Sequence, residues 1–168
     1  SRGRRLVAKW AGEGATSFKA YEHLTRDELS GVIAEAHERG LKVTGHVCAV
    51  TFSEAADLGI DNLEHGIWVA TDFAPDKQPD VALGGVLAAG PSAVQRLIHK
   101  LVGRSVAVTS TLPVFETFLS AREPAPPAAL DLMAPKSRER YLARRADLAS
   151  KPTPVWGKIL RKDLRAIP

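Results

Sequence analysis

The chain alternates between helix-like and strand-like segments, and no two-residue hairpin signal joins any two strands. This constrains the fold more than any other feature. Strands separated by helices pair in parallel, because a parallel neighbour requires a crossover connection. Residues 2–12 read as a helix, with Leu6, Val7 and Trp10 at helical spacing, and residues 15–21 as a short strand. Thr25 and Glu28 form a capping box that opens a second helix. Leu29, Val32, Ile33 and Ala36 make its apolar stripe, and Gly40 ends it in the left-handed conformation. Residues 41–47 are the next strand. Thr51 and Glu54 cap a short helix that stops at Gly59, and residues 62–67 are a third strand. Residues 71–90, rich in Asp, Pro and Gly, read as a loop or irregular insertion. Pro91 suits a first helical position. Val94, Leu97, Ile98 and Leu101 follow as a stripe closed by Gly103, and residues 105–111 are a fourth strand. Beyond it, residues 113–135 read as a Pro/Ala-rich loop, 136–150 as a basic helix and 155–165 as a last short helix.

Composition sets the scale. The 168 residues, 45% hydrophobic and 25% charged, suit one folded domain: a βα core over 1–112 and a basic helical segment over 113–168. No apolar run approaches the ~18 residues a transmembrane helix needs. The basic start, Ser1 to Arg5, precedes no continuous apolar stretch, so no secretory signal is expected. Cys48 is the one cysteine; an internal disulfide is excluded and a reducing, cytoplasmic setting is the expectation. Residues 136–168 carry ten Lys/Arg against three Asp/Glu, a balance of +7, whereas residues 1–135 sum to −3. The basicity therefore belongs to a tail and reads as a solvated helix face, with neither nucleic acid nor membrane expected as a partner.

Each of the first three strands presents a ligand-type residue near its C-terminal end: Lys19, His46 and His65. They lie 27 and 19 residues apart, about one βα unit each. In a parallel α/β barrel the C-terminal strand ends converge on one mouth, so such residues share a site. Alternation aims them. Ser17, Lys19 and Tyr21 share one face and Phe18 the other; Val43 faces the helices while Thr44 and His46 face inward. A lysine placed inward must be neutralised or paired, because burying an ammonium is costly.

Phe18-Lys19-Ala20-Tyr21, Glu35-Ala36-His37-Glu38-Arg39-Gly40-Leu41-Lys42-Val43, Gly45-His46-Val47 and Ala56-Asp57-Leu58-Gly59-Ile60-Asp61-Asn62-Leu63-Glu64-His65-Gly66 together resemble the amidohydrolase superfamily. Its imidazolonepropionase-like and Xaa-Pro-dipeptidase-like branch is the nearest in pattern. The resemblance covers residues 14–66 and continues loosely to Thr109-Ser110-Thr111-Leu112-Pro113. It implies part of a (β/α)8 TIM barrel, spanning its strands four to seven, with one or two divalent metal ions at the mouth, zinc foremost. Lys19 matches the lysine that the family carboxylates into a bridging ligand, and His46 and His65 match imidazole ligands. The implied chemistry is hydrolysis of a carbon–nitrogen bond in an amide, cyclic amide or dipeptide, on a small amide or peptide-like substrate.

The departures are equally definite. No His-x-His pair occurs in the chain, and no aspartate matches the family's eighth-strand ligand and proton shuttle, so no catalytic base is assigned. The expectation is a partial chain, catalytically poor on its own. A lactone or phosphotriester hydrolase of the same superfamily is an alternative reading. Another is a non-catalytic barrel remnant that pairs with a second copy or a complementary barrel half. Bland roles stand beside the sharp ones elsewhere. His37 answers its helix dipole, His99 faces solvent, and Cys48 is a buried inert thiol. Tyr21 is either core or mouth, and His23 is a minor candidate for substrate contact. No Ser sits in a G-x-S-x-G elbow, and the glycine pairs are too short for a phosphate-binding loop.

Overall fold

The computed structural model describes residues 2–78 and 85–152. The chain divides into two compact units, Ser1–Thr111 and Leu112–Pro168. In the first, four strands form one parallel sheet in sequence order: β1 (Ser17–Ala20), β2 (Lys42–Gly45), β3 (Asn62–Glu64) and β4 (Ala107–Thr109). Helices α1 (Arg2–Gly12), α2 (Arg26–Glu38), α3 (Phe52–Leu58) and α4 (Pro91–Gly103) precede or connect them. The mixed α/β architecture with an all-parallel sheet is the one the alternation predicts.

Local chemistry sets the element boundaries. Thr25 accepts from the Glu28 amide and the Glu28 carboxylate accepts from the Thr25 amide, and Thr51 and Glu54 do the same for α3. Each box satisfies amides that a helix start leaves without partners. Asp72 adds a second cap to α3, accepting from the amides of Phe52 at 2.9 Å and Ser53 at 3.0 Å. Gly40 and Gly59 take left-handed φ values of 70° and 87° after α2 and α3. Helix α4 ends at Gly103 as its pattern predicts, and Ser105 then turns the chain with φ 55°.

The core lies between the sheet and its helices. Leu29, Ile33 and Ala36 from α2, Val43 from β2, Phe52, Ala55 and Ala56 from α3, Leu63 from β3 and Leu97 and Leu101 from α4 form one buried cluster. Gly45 permits close packing there, since a Cβ would stand 2.8 Å from Ile60 Cδ1. Phe18 packs against this cluster while Lys19 does not, as alternation requires.

Three expected details are corrected. Residues 71–90 are not simply irregular: Thr71–Phe73 and Pro75–Lys77 are 3-10 turns and residues 85–89 are helical. Residues 113–135 are not all loop, because Leu112–Glu116 and Pro127–Asp131 are short helices; Pro127 occupies a first-turn position that needs no amide. The basic segment forms a helix over Pro135–Ala149, but Arg145 is not on a solvated face. It is 6% exposed, and its guanidinium donates to the carbonyls of Thr117, Leu119 and Arg122. The helix expected over 155–165 lies outside the described residues. No helix among the described residues is long and apolar enough to cross a membrane.

Candidate functional site

Parallel register brings the candidate residues together. Lys19 pairs with Thr44 across β1 and β2, and Thr44 with Asn62 across β2 and β3. With side chains alternating, Lys19, Thr44, Asn62 and Glu64 stand on the sheet face opposite the core. Their polar atoms are joined in a ladder. The Lys19 ammonium donates to Glu64 Oε2, Thr44 Oγ1 donates to Glu64 Oε1 at 2.9 Å, and Asn62 Nδ2 donates to Thr44 Oγ1 at 2.7 Å. Thr109 Oγ1 donates to Asn62 Oδ1 at 3.1 Å, extending the ladder to the fourth strand.

The two histidines sit just past the strand ends. The His46 amide donates to the Ala20 carbonyl and the Gly66 amide to the Thr109 carbonyl, so ladder pairing continues beyond the regular strands. The rings of His46 and His65 meet edge to face with centroids 4.4 Å apart. His65 Nε2 lies 3.9 Å from Glu64 Oε2, the same carboxylate oxygen that holds Lys19. Lys19, His46 and His65 therefore share one rim of the sheet, with Glu64 between the lysine and the nearer imidazole.

The rim stores backbone strain. His65 adopts φ 71° and Thr111 φ 47°, values that cost a residue with a Cβ roughly 1 kcal/mol or more. The turn at His65 ends β3 at Glu64, one residue short of where the sequence pattern places the imidazole in the strand. His65 Nδ1 lies 2.9 Å from Thr111 Oγ1. With Nδ1 protonated and donating to Thr111, Nε2 keeps its lone pair on the Glu64 side.

Electrostatics favour the states that bind cations. Burial, then the neighbouring His46, hold the His65 imidazole below its ordinary pKa, so it is neutral at pH 7. Burial pushes the Glu64 carboxyl up, but hydrogen bonds from Lys19 and Thr44 outweigh it and leave it below the usual glutamate value. A lowered carboxyl contributes stability above its unfolded pKa and loses it as the pH falls through the folded value. The Glu64 carboxyl carbon is accordingly expected to titrate below a free glutamate in NMR, and Lys19→Met to move its midpoint upward. An unmoved midpoint would contradict the ion pair.

Other residues fall as follows. Tyr21 is at the mouth rather than in the core, 56% exposed with its ring 5.3 Å from that of His46. The exposed His23 makes a 3.9 Å approach to Glu22, and His99 is exposed on α4. His37 does more than answer a dipole. Its Nε2 lies 2.9 Å from Asp61 Oδ2, and Asp61 also accepts from Lys42 and from the Val43 amide at the opposite end of the sheet. Cys48 is 1% exposed, and burial raises its thiol to about 11. Two participants were absent from the sequence reading as site residues. Glu22 Oε1 lies 3.4 Å from His46 Nε2, and Glu64 joins Lys19 to His65. Glu22 lies three residues beyond Lys19 on the mouth side of β1, the one sequence signal that marks it.

No protein family and no curated protein matches the chain by sequence. Among solved structures it is similar to bottromycin amidohydrolase, at 19% identity and a TM-score of 0.59 over 95% of this chain and 35% of that one. It is also similar to an uncharacterized protein at 18% identity and a TM-score of 0.49, over 85% of this chain and 32% of that one. The chain thus spans about a third of the length of these structures. The first likeness, with the parallel four-stranded sheet, is consistent with a fold that is part of an α/β barrel.

Proposed function

We propose that this chain carries part of the metal centre of a hydrolase acting on carbon–nitrogen bonds of amides, cyclic amides or dipeptides. The observation that supports this most is the chain of contacts from Lys19 through Glu64 to His65 and His46 at the strand ends. Fold similarity alone does not assign an activity, since one barrel hosts many chemistries.

The donor chemistry fits a divalent ion. Two imidazoles in ring contact, one held neutral and oriented through its second nitrogen, are suitable ligands for zinc. Lys19 would be the third ligand as a carbamate, formed when its ammonium releases a proton to solvent and the free amine adds to carbon dioxide with loss of a second proton. As an ammonium it is attracted to Glu64; as a carbamate it would face that carboxylate as a second anion. A cation at the rim offsets the repulsion, so carboxylation of Lys19 and metal binding favour one another. A bound metal would acidify a water and polarise the scissile carbonyl. His65 and His46 would hold it, while Glu64 positions Lys19 and Thr111 fixes the His65 ring.

The sequence contains neither a His-x-His pair nor an aspartate matched to the proton shuttle. The 168-residue chain is therefore expected to bind zinc more tightly when bicarbonate is present, an enhancement absent in Lys19→Ala. It is expected to hydrolyse amide and dipeptide substrates no faster than the metal alone. Zinc binding indifferent to bicarbonate would overturn the role of Lys19. Amide hydrolysis above the metal-only blank, lost in Lys19→Ala, would overturn the expectation of an inactive chain.

A further inference from the structure

Two residues beyond His46, the chain places its single cysteine within reach of the same imidazole. The ligand atoms of Glu22, His46 and Cys48 all lie within 4.8 Å of one another. Their spacing has a built geometry behind it. The Ala49 amide donates to the Glu22 carbonyl at 2.9 Å, tying the segment after β1 to the segment after β2. Thr71 Oγ1 donates to the Cys48 carbonyl at 2.8 Å, anchoring that residue from below. Cys48 is a free thiol, 1% exposed, while the Glu22 and His46 side chains are partly exposed above it.

We propose that Glu22, His46 and Cys48 form a second metal site that takes a thiophilic divalent ion, and that this site and the rim compete for His46. The distances suit four-coordination. Nitrogen and oxygen ligands about 2.0–2.1 Å from a tetrahedral zinc stand roughly 3.3 Å apart. His46 Nε2 and Glu22 Oε1 are 3.4 Å apart. A sulfur at about 2.3 Å would stand roughly 3.5 Å from either, so from within 4.8 Å the thiol needs to close by roughly 1.3 Å at most. One carboxylate, one imidazole and one thiolate leave a fourth position open to water, and the sulfur selects soft ions over magnesium, calcium or manganese. The ion displaces the thiol proton on binding, and the partly exposed Glu22 and His46 give it a path inward.

The thiol site uses neither Lys19 nor His65 and so stands whether or not the rim binds a metal; only the competition for His46 rests on the function proposed above. Cadmium is the direct probe, read by the ultraviolet charge-transfer absorption of a cadmium–thiolate bond in the intact 168-residue chain. The expected result is a saturable band with one ion per chain. His46→Asn and Glu22→Gln should each weaken its affinity at least about tenfold, the scale on which even outer partners of a metal act. His65→Ala should not weaken it. Cys48→Ser should remove the band in a protein whose far-ultraviolet dichroism is native; should that variant unfold, the His46 and Glu22 variants decide the matter. No band in the native chain would overturn the proposal. So would a band equally strong in His46→Asn and Glu22→Gln, which marks a bare thiol, or one that His65→Ala weakens, which places the ion on the rim.

Discussion

Replacing Phe52 by alanine is expected to cost the first unit about 3–5 kcal/mol, a large part of the 5–15 kcal/mol that holds a typical domain folded. Phe52 is fully buried as the first residue of α3 and belongs to the cluster that joins α2, α3, α4 and the sheet. Its loss leaves a ring-sized cavity in a cluster whose other members, Leu29, Val43 and Leu63 among them, are themselves fully buried. The α3 start is also tied by Asp72 and by the Thr51 box, so the backbone has little freedom to collapse into the space. Urea unfolding followed by tryptophan fluorescence measures the change. Leu132→Ala is the control: Leu132 is 89% exposed and its truncation should fall within about 0.5 kcal/mol of no effect. A Phe52→Ala loss below about 1 kcal/mol would mean that this cluster is not the core.

The second large effect concerns the rim. His65→Ala is expected to weaken zinc binding there by at least about a hundredfold, since even an outer-shell partner of a metal ligand is worth 10–100-fold. That corresponds to about 2.7 kcal/mol. The fold should survive the change, because alanine at position 65 meets the same φ 71° and the side chain removed is only partly buried. Thr111→Val gives the intermediate case. It removes the hydroxyl facing His65 Nδ1 but keeps both imidazoles, so affinity should fall by about tenfold. Isothermal calorimetry in the Cys48→Ser background isolates the rim from the thiol. Equal zinc affinity in the native and His65→Ala chains would remove His65 from the site.

Why these features were or were not legible follows from their range. Both capping boxes are readable in four consecutive residues, Thr25 to Glu28 and Thr51 to Glu54, because the chemistry of a helix start is local. The period-2 pattern separates Phe18 from Lys19 and Val43 from Thr44 for the same reason. The partner of Lys19 is another matter. Glu64 lies 45 residues away, and the contact exists only because β1, β2 and β3 stack in register. Glu22 likewise meets His46 only through the pairing of two post-strand segments. The left-handed turns at His65 and Ser105 were hidden because neither is a glycine. Gly103 marked the end of α4, but the turn that follows falls to Ser105, which no glycine signals. Pro127 and Pro135 begin helices in a stretch whose composition reads as loop, a first-turn role that proline shares with its role as a breaker.

A lysine and two histidines from successive parallel segments share one edge of the sheet. Nuclear Overhauser contacts in the metal-free chain address this without any ligand. Ring protons of His46 and His65 should show direct contacts, as their 4.4 Å centroid separation requires, and the Lys19 ε-methylene should show contacts to the Glu64 side chain. Absence of both, or Lys19 contacts to the core-facing neighbours of Phe18 instead, would contradict it.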